Sequence, residues 1–332
     1  MERVTIRQVA KEAGVSISAV SKAINDSGEL NAATKEHILQ VAKRLNYVPN
    51  MNGKNLKARQ TKTIGLFIPS MKGRFYEVLT DTVVSECKKQ GYSLIACFDR
   101  SPEDAAARIL NQQIDGAIIM NPAIDDRYVQ LIEKHGLPAV FLDRQIKSAC
   151  MGSVLFDSYQ DGQTVAKYLL SLGHREFGCM AGPENYYDSR MRVQGFRDVI
   201  EQAGGRLLPE HIWQGYYARE DARLAIEHYV ANGGVMPSAL FAVNDYSAIG
   251  CIEALQRLGV NVPQQVSVIG CDDIDIAEFM TPKLTTIHIA FDTMGRLAVE
   301  SLLEMVHNGT EGRIHQIHGN IVIRDSCYMA AQ

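Results

Sequence analysis

The chain has 332 residues, 46% of them hydrophobic and 22% charged, which is enough for two or more domains with real cores. No apolar run approaches the roughly 20 residues of a membrane-spanning helix, and the start of the chain lacks the apolar centre of a signal peptide, so a cytoplasmic protein with no membrane contact is expected. The net charge of −4 is polarised: residues 1–60 carry ten Lys and Arg against five Asp and Glu, a net +5, while residues 61–332 carry 24 against 33, a net −9, which points to a nucleic-acid contact confined to the basic head.

The first element is a short helix with an apolar stripe at Ile6, Val9, Ala10 and Ala13, the i, i+3, i+4, i+7 spacing. Gly14 supplies a tight turn and Ser16 an N-cap for a second helix. That helix buries Val20 and Ile24 and turns Ser18, Ser21, Lys22 and Asn25 outward. The pair reads as a helix-turn-helix, or as an ordinary helical hairpin. Asp26-Ser27-Gly28 makes a turn, Asn31 caps a third helix built on Ile38, Val41, Ala42 and Leu45, and Asn46-Tyr47-Val48-Pro49 ends it. Residues 50–60 are polar and basic around one isolated apolar residue, Leu56. They read as a flexible linker, or as a segment that orders on DNA with Leu56 as a minor-groove wedge beside Lys54 and Lys57.

The body alternates strands and helices. Strands are expected at 63–68, 92–98, 116–120, 139–142, 154–156, 176–181, 239–243 and 266–270. Helices are expected near 75–90, 103–113, 126–135, 158–172, 190–203, 219–232 and 245–258. Repeated β-α units of this length give parallel sheets, and about ten strands divide into two lobes with a ligand cleft beyond the strands' carboxyl ends. No G-x-G-x-x-G follows a strand, and there is no P-loop, H-E-x-x-H or G-x-S-x-G, so an enzyme is not expected. Seven dispersed cysteines without a C-x-x-C pair read as reduced, buried thiols and not as a zinc site; no metal or cofactor is expected.

The head resembles that of the lactose-repressor/galactose-repressor (LacI/GalR) family of bacterial transcription regulators, through Thr5-Ile6, Val9-Ala10, Ala13-Gly14-Val15-Ser16, Val20-Ser21, Asn25, Leu45-Asn46-Tyr47, Pro49-Asn50 and Leu56. The resemblance continues from about Thr63 to Asp325, through Phe75-Tyr76, Gly173-His174, Arg192-x-x-Gly195-Phe196, Asn244-Asp245, Ser267 to Asp273, Leu284 to Ile287 and Arg324-Asp325-Ser326. It implies an all-α helix-turn-helix headpiece over 1–49, a hinge over 50–62 and an α/β periplasmic-binding-protein-like core over 63–332. The core would have two parallel-sheet lobes, about 63–160 plus 292–321 and about 161–290 plus 322–332. It also implies operator contacts from Thr5, Ser16, Ile17, Ser18, Ser21, Lys22, Asn25, Tyr47, Asn50, Lys54, Leu56 and Lys57. Two departures stand out: Gly53 replaces the usual hinge alanine, which costs about 1 kcal/mol of helix propensity, and Ile17 also fits its helix's apolar stripe, which would let it pack inside the head.

For the cleft, the resemblance implies an effector held by Phe75, Tyr76, Asp143 and Arg144 from the first lobe and by Arg192, Tyr217, Asn244 and Asp272 from the second. Aromatic rings stack on a sugar's apolar face, while Arg192 and Asp272 can each engage two hydroxyls. Asn244 could instead cap its helix. Ile289 stands where several members place glutamine, and Arg74 adds an arginine near the mouth that would favour a sugar acid or sugar phosphate. His174 reads as part of a structural turn. The implied protein is a repressor that binds a pseudo-palindromic operator in double-stranded DNA as a homodimer, controlled by a sugar, sugar acid or sugar phosphate. A regulator of the same fold controlled by a protein partner, of the catabolite-control type, is the alternative.

Overall fold

The computed structural model describes residues 4–47, 60–98, 101–111 and 114–330. The chain divides into a unit over Met1–Thr61 and a unit over Lys62–Gln332.

The first unit holds α1 (Ile6–Ala13), α2 (Ile17–Asn25) and α3 (Ala32–Arg44). Each begins on a residue whose side chain satisfies an orphan amide of the first turn. At α1, Thr5 and Gln8 form a capping box, the Thr5 amide donating to Gln8 Oε1 at 2.7 Å and the Gln8 amide to Thr5 Oγ1 at 3.4 Å. Ser16 accepts from the Ala19 amide at 3.1 Å and Asn31 from the Ala33 amide at 2.9 Å. Gly14 sits at φ +66° and closes α1, the left-handed geometry that lets α2 set off across it. Val9, Ala10, Ala13, Val20, Ala23, Ile38, Val41 and Ala42 form the core of the head.

The second unit carries two parallel sheets. The first has strand order β11-β5-β4-β3-β1-β2, formed by β1 (Thr63–Phe67), β2 (Ser93–Cys97), β3 (Gly116–Ile119), β4 (Ala139–Phe141), β5 (Met151–Phe156) and β11 (Ile314–Ile317). The second has order β7-β6-β8-β9, formed by β6 (Glu176–Ala181), β7 (Arg206–Gln214), β8 (Ala239–Ala242) and β9 (Ser267–Ile269). A two-stranded antiparallel pair, β10 (Thr286–His288) with β12 (Asn320–Val322), joins residues 286–288 to residues 320–322. Strands β1, β3, β4, β5, β6, β8 and β9 read as near-continuous apolar runs because helices cover both faces of each sheet.

Helices α4 (Arg74–Lys89), α5 (Pro102–Asn111), α6 (Asp126–Lys134) and α11 (Phe291–Asn308) pack on the first sheet. The second is flanked by α7 (Ser158–Ser171), α8 (Tyr187–Gln202), α9 (Arg219–Ala231) and α10 (Asp245–Arg257). Helices α7 and α8 approach until backbone meets backbone: a Cβ on Gly195 would lie 2.0 Å from the Tyr159 carbonyl oxygen, and one on Gly162 would lie 2.1 Å from that of Arg192.

Expected elements recur within a few residues of their predicted bounds, but several elements have no counterpart in the sequence reading. Strand β7 exposes most of its first five residues and includes Pro209, so it shows no apolar run. Strands β10, β11 and β12 are only three or four residues long. Helix α11 is different: its buried Phe291, Met294, Ala298, Val299, Leu302 and Met305 follow helical spacing that the sequence displays openly.

Candidate functional site

In the head, α2 presents a strip of side chains. Ile17, Ser21 and Asn25 stand at i, i+4 and i+8, and Ser18 and Lys22 at i and i+4 beside them. Ile17 is 47% exposed, which rules out the alternative that it packs in the head; Val20 and Ala23 fill that role. Asn25 folds back on its own helix, donating through Nδ2 to the Ser21 carbonyl at 2.8 Å. Thr5 and Ser16 have structural work as caps, and half-buried Tyr47 packs against the head's core just beyond α3. Lys35 pairs with Asp26 and Arg44 with Glu12, whereas Arg7, Lys11 and Lys22 meet no acidic group among the described residues. On α2 the uncompensated Lys22 and the exposed tip of Ile17 suit a phosphate and a thymine methyl in a major groove. Asn50, Gly53, Lys54, Leu56 and Lys57 lie outside the described residues.

In the core, a cavity of about 440 Å³ opens between the carboxyl ends of the two sheets' strands. Every effector-site candidate lines it: Phe75 and Tyr76 from α4, Asp143 and Arg144 beyond β4, Arg192 from α8, Tyr217 beyond β7, Asn244 beyond β8 and Asp272 beyond β9. Phe75 anchors the apolar part, packing edge-on against Phe291 at 5.1 Å and Phe156 at 6.4 Å between ring centroids. Burial pushes the Tyr76 hydroxyl well up from its ordinary value, as does its surrounding of Tyr186, Asp188 and Asp143.

The polar centre is Arg192, only 3% exposed. Its Nη1 donates to the Val243 carbonyl at 2.8 Å and stands 3.7 Å from Asp188 Oδ2, while Nη2 is 3.9 Å from Asp272 Oδ1. Its Nε is buried without a partner. Tyr217 donates its hydroxyl to Asp188 at 2.9 Å, and burial drives that phenol's pKa far up. Burial also raises the Asp272 carboxyl well above its ordinary range, against the opposing pull of Arg192.

The backbone here is bent out of the usual regions. Tyr216, Tyr217, Asp272 and Asp273 all have positive φ, at +49°, +62°, +125° and +59°. Such non-glycine strain is held only where surrounding contacts enforce it, and it gathers at binding sites. One enforcing group is Asp245, fully buried, which accepts from Thr286 Oγ1 at 2.6 Å and from the Ile274 amide at 2.9 Å, bracketing the Asp272–Asp273 turn.

Several side chains do other work as well. Asn244 caps α10 through Oδ1 to the Ser247 amide at 3.0 Å and donates through Nδ2 to the Tyr217 carbonyl at 3.2 Å, so both its polar ends are engaged. Arg144 grips Asp143 with two donors at 3.0 Å each and spends two more on the Ile124 and Asn121 carbonyls. Arg74 lies near Glu77 on its own helix at 3.4 Å. Ile289 is buried in the second lobe's apolar core. His174 is wholly structural, bonded to Ser238, Ser267 and the Tyr328 carbonyl at 2.9–3.1 Å. The sequence reading misses Tyr186 and Asp188, which line the cavity at the start of α8; Asp188 stands one turn before Arg192, a spacing that could have flagged it.

Residues 5–50 match the family described as bacterial regulatory proteins, lacI family, and residues 166–327 match the periplasmic binding protein-like domain. The HTH-type transcriptional repressor PurR of Vibrio vulnificus is 32% identical over 97% of this chain and 98% of its own. The chain belongs to the lacI family. It is a DNA-binding transcriptional repressor of that family, with a core of the effector-binding type. Among solved structures, the Lac repressor bound to ONPG in its repressed state matches with TM-score 0.86 at 25% identity, over 98% of this chain and 100% of that one. The transcriptional regulator CelR in complex with cellobiose matches with TM-score 0.73 at 25% identity, over the same shares. Among the described residues, no helix is long and apolar enough to cross a membrane.

Proposed function

We propose that the chain represses transcription in the cytoplasm as a homodimer on a pseudo-palindromic operator, and that a small sugar-like molecule in the core cavity sets its operator affinity. The observation that carries the effector reading is the buried Arg192, flanked by Asp188 and Asp272 in a cavity that Phe75, Tyr76, Tyr186 and Tyr217 also line. A hydroxylated ring satisfies this set: its hydroxyls bridge the guanidinium and the carboxylates, and its apolar face lies on Phe and Tyr rings. Family relatives bound to ONPG and to cellobiose support the same class of ligand. Two heads related by symmetry supply the contacts that one small head lacks. Ligand coupling to DNA then follows from different effector affinities for two arrangements of the lobes, transmitted to the spacing of the two hinge segments.

The test is a thermal-shift screen of the full chain against sugars, sugar derivatives and planar heterocycles, repeated on Arg192→Ala. A ligand that binds only the folded protein raises the melting temperature by mass action. The expected result is a sugar-class hit that Arg192→Ala abolishes. Stabilisation by heterocycles alone, or a hit indifferent to Arg192, refutes the sugar reading.

A further inference from the structure

The charges of the cavity sort by depth. Lys72, Arg74, Asp126 and Arg190 sit at the rim with exposed side chains, as does the partly exposed Asp125, paired with Arg127, and there water screens them. The inner wall holds five charged groups: Asp143, Arg144, Asp188, Arg192 and Asp272, with side-chain exposures of 11%, 21%, 30%, 3% and 17%. The Arg144 guanidinium gives four of its five donors to Asp143 and to two backbone carbonyls. Arg192 is shared between Asp188 and Asp272. Three carboxylates therefore face two guanidiniums, and both guanidiniums already have a carboxylate.

An anionic group brought to this wall meets no uncompensated cation. With Asp272 ionised it enters a site of net −1; with Asp272 protonated it enters a neutral site in which each arginine is already paired. Asp161, buried behind Arg192 and pushed up to about 6 by desolvation, adds acidity and not relief. Phosphate and carboxylate sites look different, since they present forks and amides that lack a resident anion. Spare hydrogen-bonding capacity on this wall is of both kinds: acceptors in the oxygens of Asp188 and Asp272, and donors on Arg192, whose Nε has no partner and whose Nη2 has only the 3.9 Å approach of Asp272, a mixed set that a hydroxyl, both donor and acceptor, satisfies. Tyr217 uses one Asp188 oxygen, and neither carboxylate has a close bidentate partner.

Resting on the effector reading above, we infer that the cavity selects a hydroxyl-rich, non-anionic ligand, a neutral or amine-bearing polyol and not a sugar acid or sugar phosphate, and that Asp188 is the residue that sets this selectivity. Sequence had suggested the opposite preference through Arg74, but that side chain lies at the rim near Glu77. Asp188 is a specificity residue: the carboxylate that gives Arg192 its second partner is the one that turns the wall from anion-accepting to anion-rejecting.

The experiment is calorimetric and thermal-shift titration of the full chain with several pentose and hexose scaffolds. Each is tested as the neutral sugar, the 2-amino sugar, the uronic or aldonic acid and the terminal phosphate. On the scaffold that binds, the neutral or amino form is expected to bind at least tenfold more tightly than either anionic form. Asp188→Asn keeps an oxygen to accept from Tyr217 but removes the charge, and is expected to narrow that ratio by tenfold or more while the apo melting temperature stays near the wild-type value. Tighter binding of the acid or phosphate overturns the inference and leaves the sugar reading standing. An unchanged ratio in Asp188→Asn overturns the role of that residue, and a destabilised variant is replaced by Asp188→Glu, whose ratio must stay near wild type. A blank across all scaffolds and charge states removes the effector reading on which the inference rests.

Discussion

Replacing Gly195 by alanine tests whether the α7–α8 approach positions the effector site. The new Cβ would lie 2.0 Å from the Tyr159 carbonyl oxygen, and separations under 3.0 Å require something to move. What it meets is helix backbone on both sides, so the two helices must part by about 1 Å. Overpacking of this kind costs about 1–3 kcal/mol, and a rigid backbone contact belongs at the upper end. Alanine recovers up to about 1 kcal/mol of helix propensity, leaving a net loss of about 2 kcal/mol. For a core of this size that lowers the melting temperature by about 4–8 °C. Arg192 lies one turn before Gly195 on the same helix, so effector binding should weaken along with stability. Differential scanning calorimetry and ligand titration read both. A variant that melts at or above the wild-type temperature with full effector affinity would refute the claim that this contact is tight and that it positions Arg192.

Asp161→Asn tests the buried carboxyl beside Gly319. Burial holds Asp161 at about 6, above its ordinary 3.8, so its contribution to stability is fully present below about pH 4 and is lost as the pH rises through 6. Its Oδ1 accepts from the Gly319 amide at 3.2 Å, which asparagine preserves, while Oδ2 has no partner. The variant should therefore be more stable than wild type by about 1–2 kcal/mol at pH 8, with the advantage fading towards pH 4 in chemical denaturation; an advantage that grows on acidification contradicts the sign. In the head, Lys22→Ala should weaken operator binding and reduce the salt slope by about one unit in fluorescence anisotropy, without changing effector affinity. An unchanged salt slope would remove Lys22 from the interface.

Much of this architecture is legible before any coordinates. The head announces itself through caps and glycine at fixed offsets, because Thr5, Gly14, Ser16 and Asn31 act on their immediate neighbours. Buried parallel strands are legible because both their faces are apolar. The exposed β7 and the very short β10, β11 and β12 are not, since their pairing is decided by distant partners such as Ser153 for Ile314. The candidate effector residues were reached through family resemblance, and the structure brings all eight to one cavity. What no local pattern conveys is commitment. That Asn244 spends its amide on a cap and a carbonyl, or that Arg144 is held by Asp143, depends on loops that meet only in the folded core. Ile17 shows how spacing can mislead in the other direction: it suits burial, yet the side chain is exposed and absent from the head's core.

The order of the first sheet bears on how the protein emerges from the ribosome. Its edge strand β11 pairs with β5 across more than 150 residues, and α11 supplies Met294, Ala298, Val299 and Leu302 to the core beneath the sheet. Until residue 308 has been made, that face of the sheet lacks its largest apolar cover, though five of its six strands are already out of the exit tunnel. The nascent chain must therefore carry an open hydrophobic surface through the synthesis of the entire second lobe. Messages truncated before α11 should yield chains that engage chaperones or aggregate, and no shortened repressor able to occupy an operator would accumulate from them.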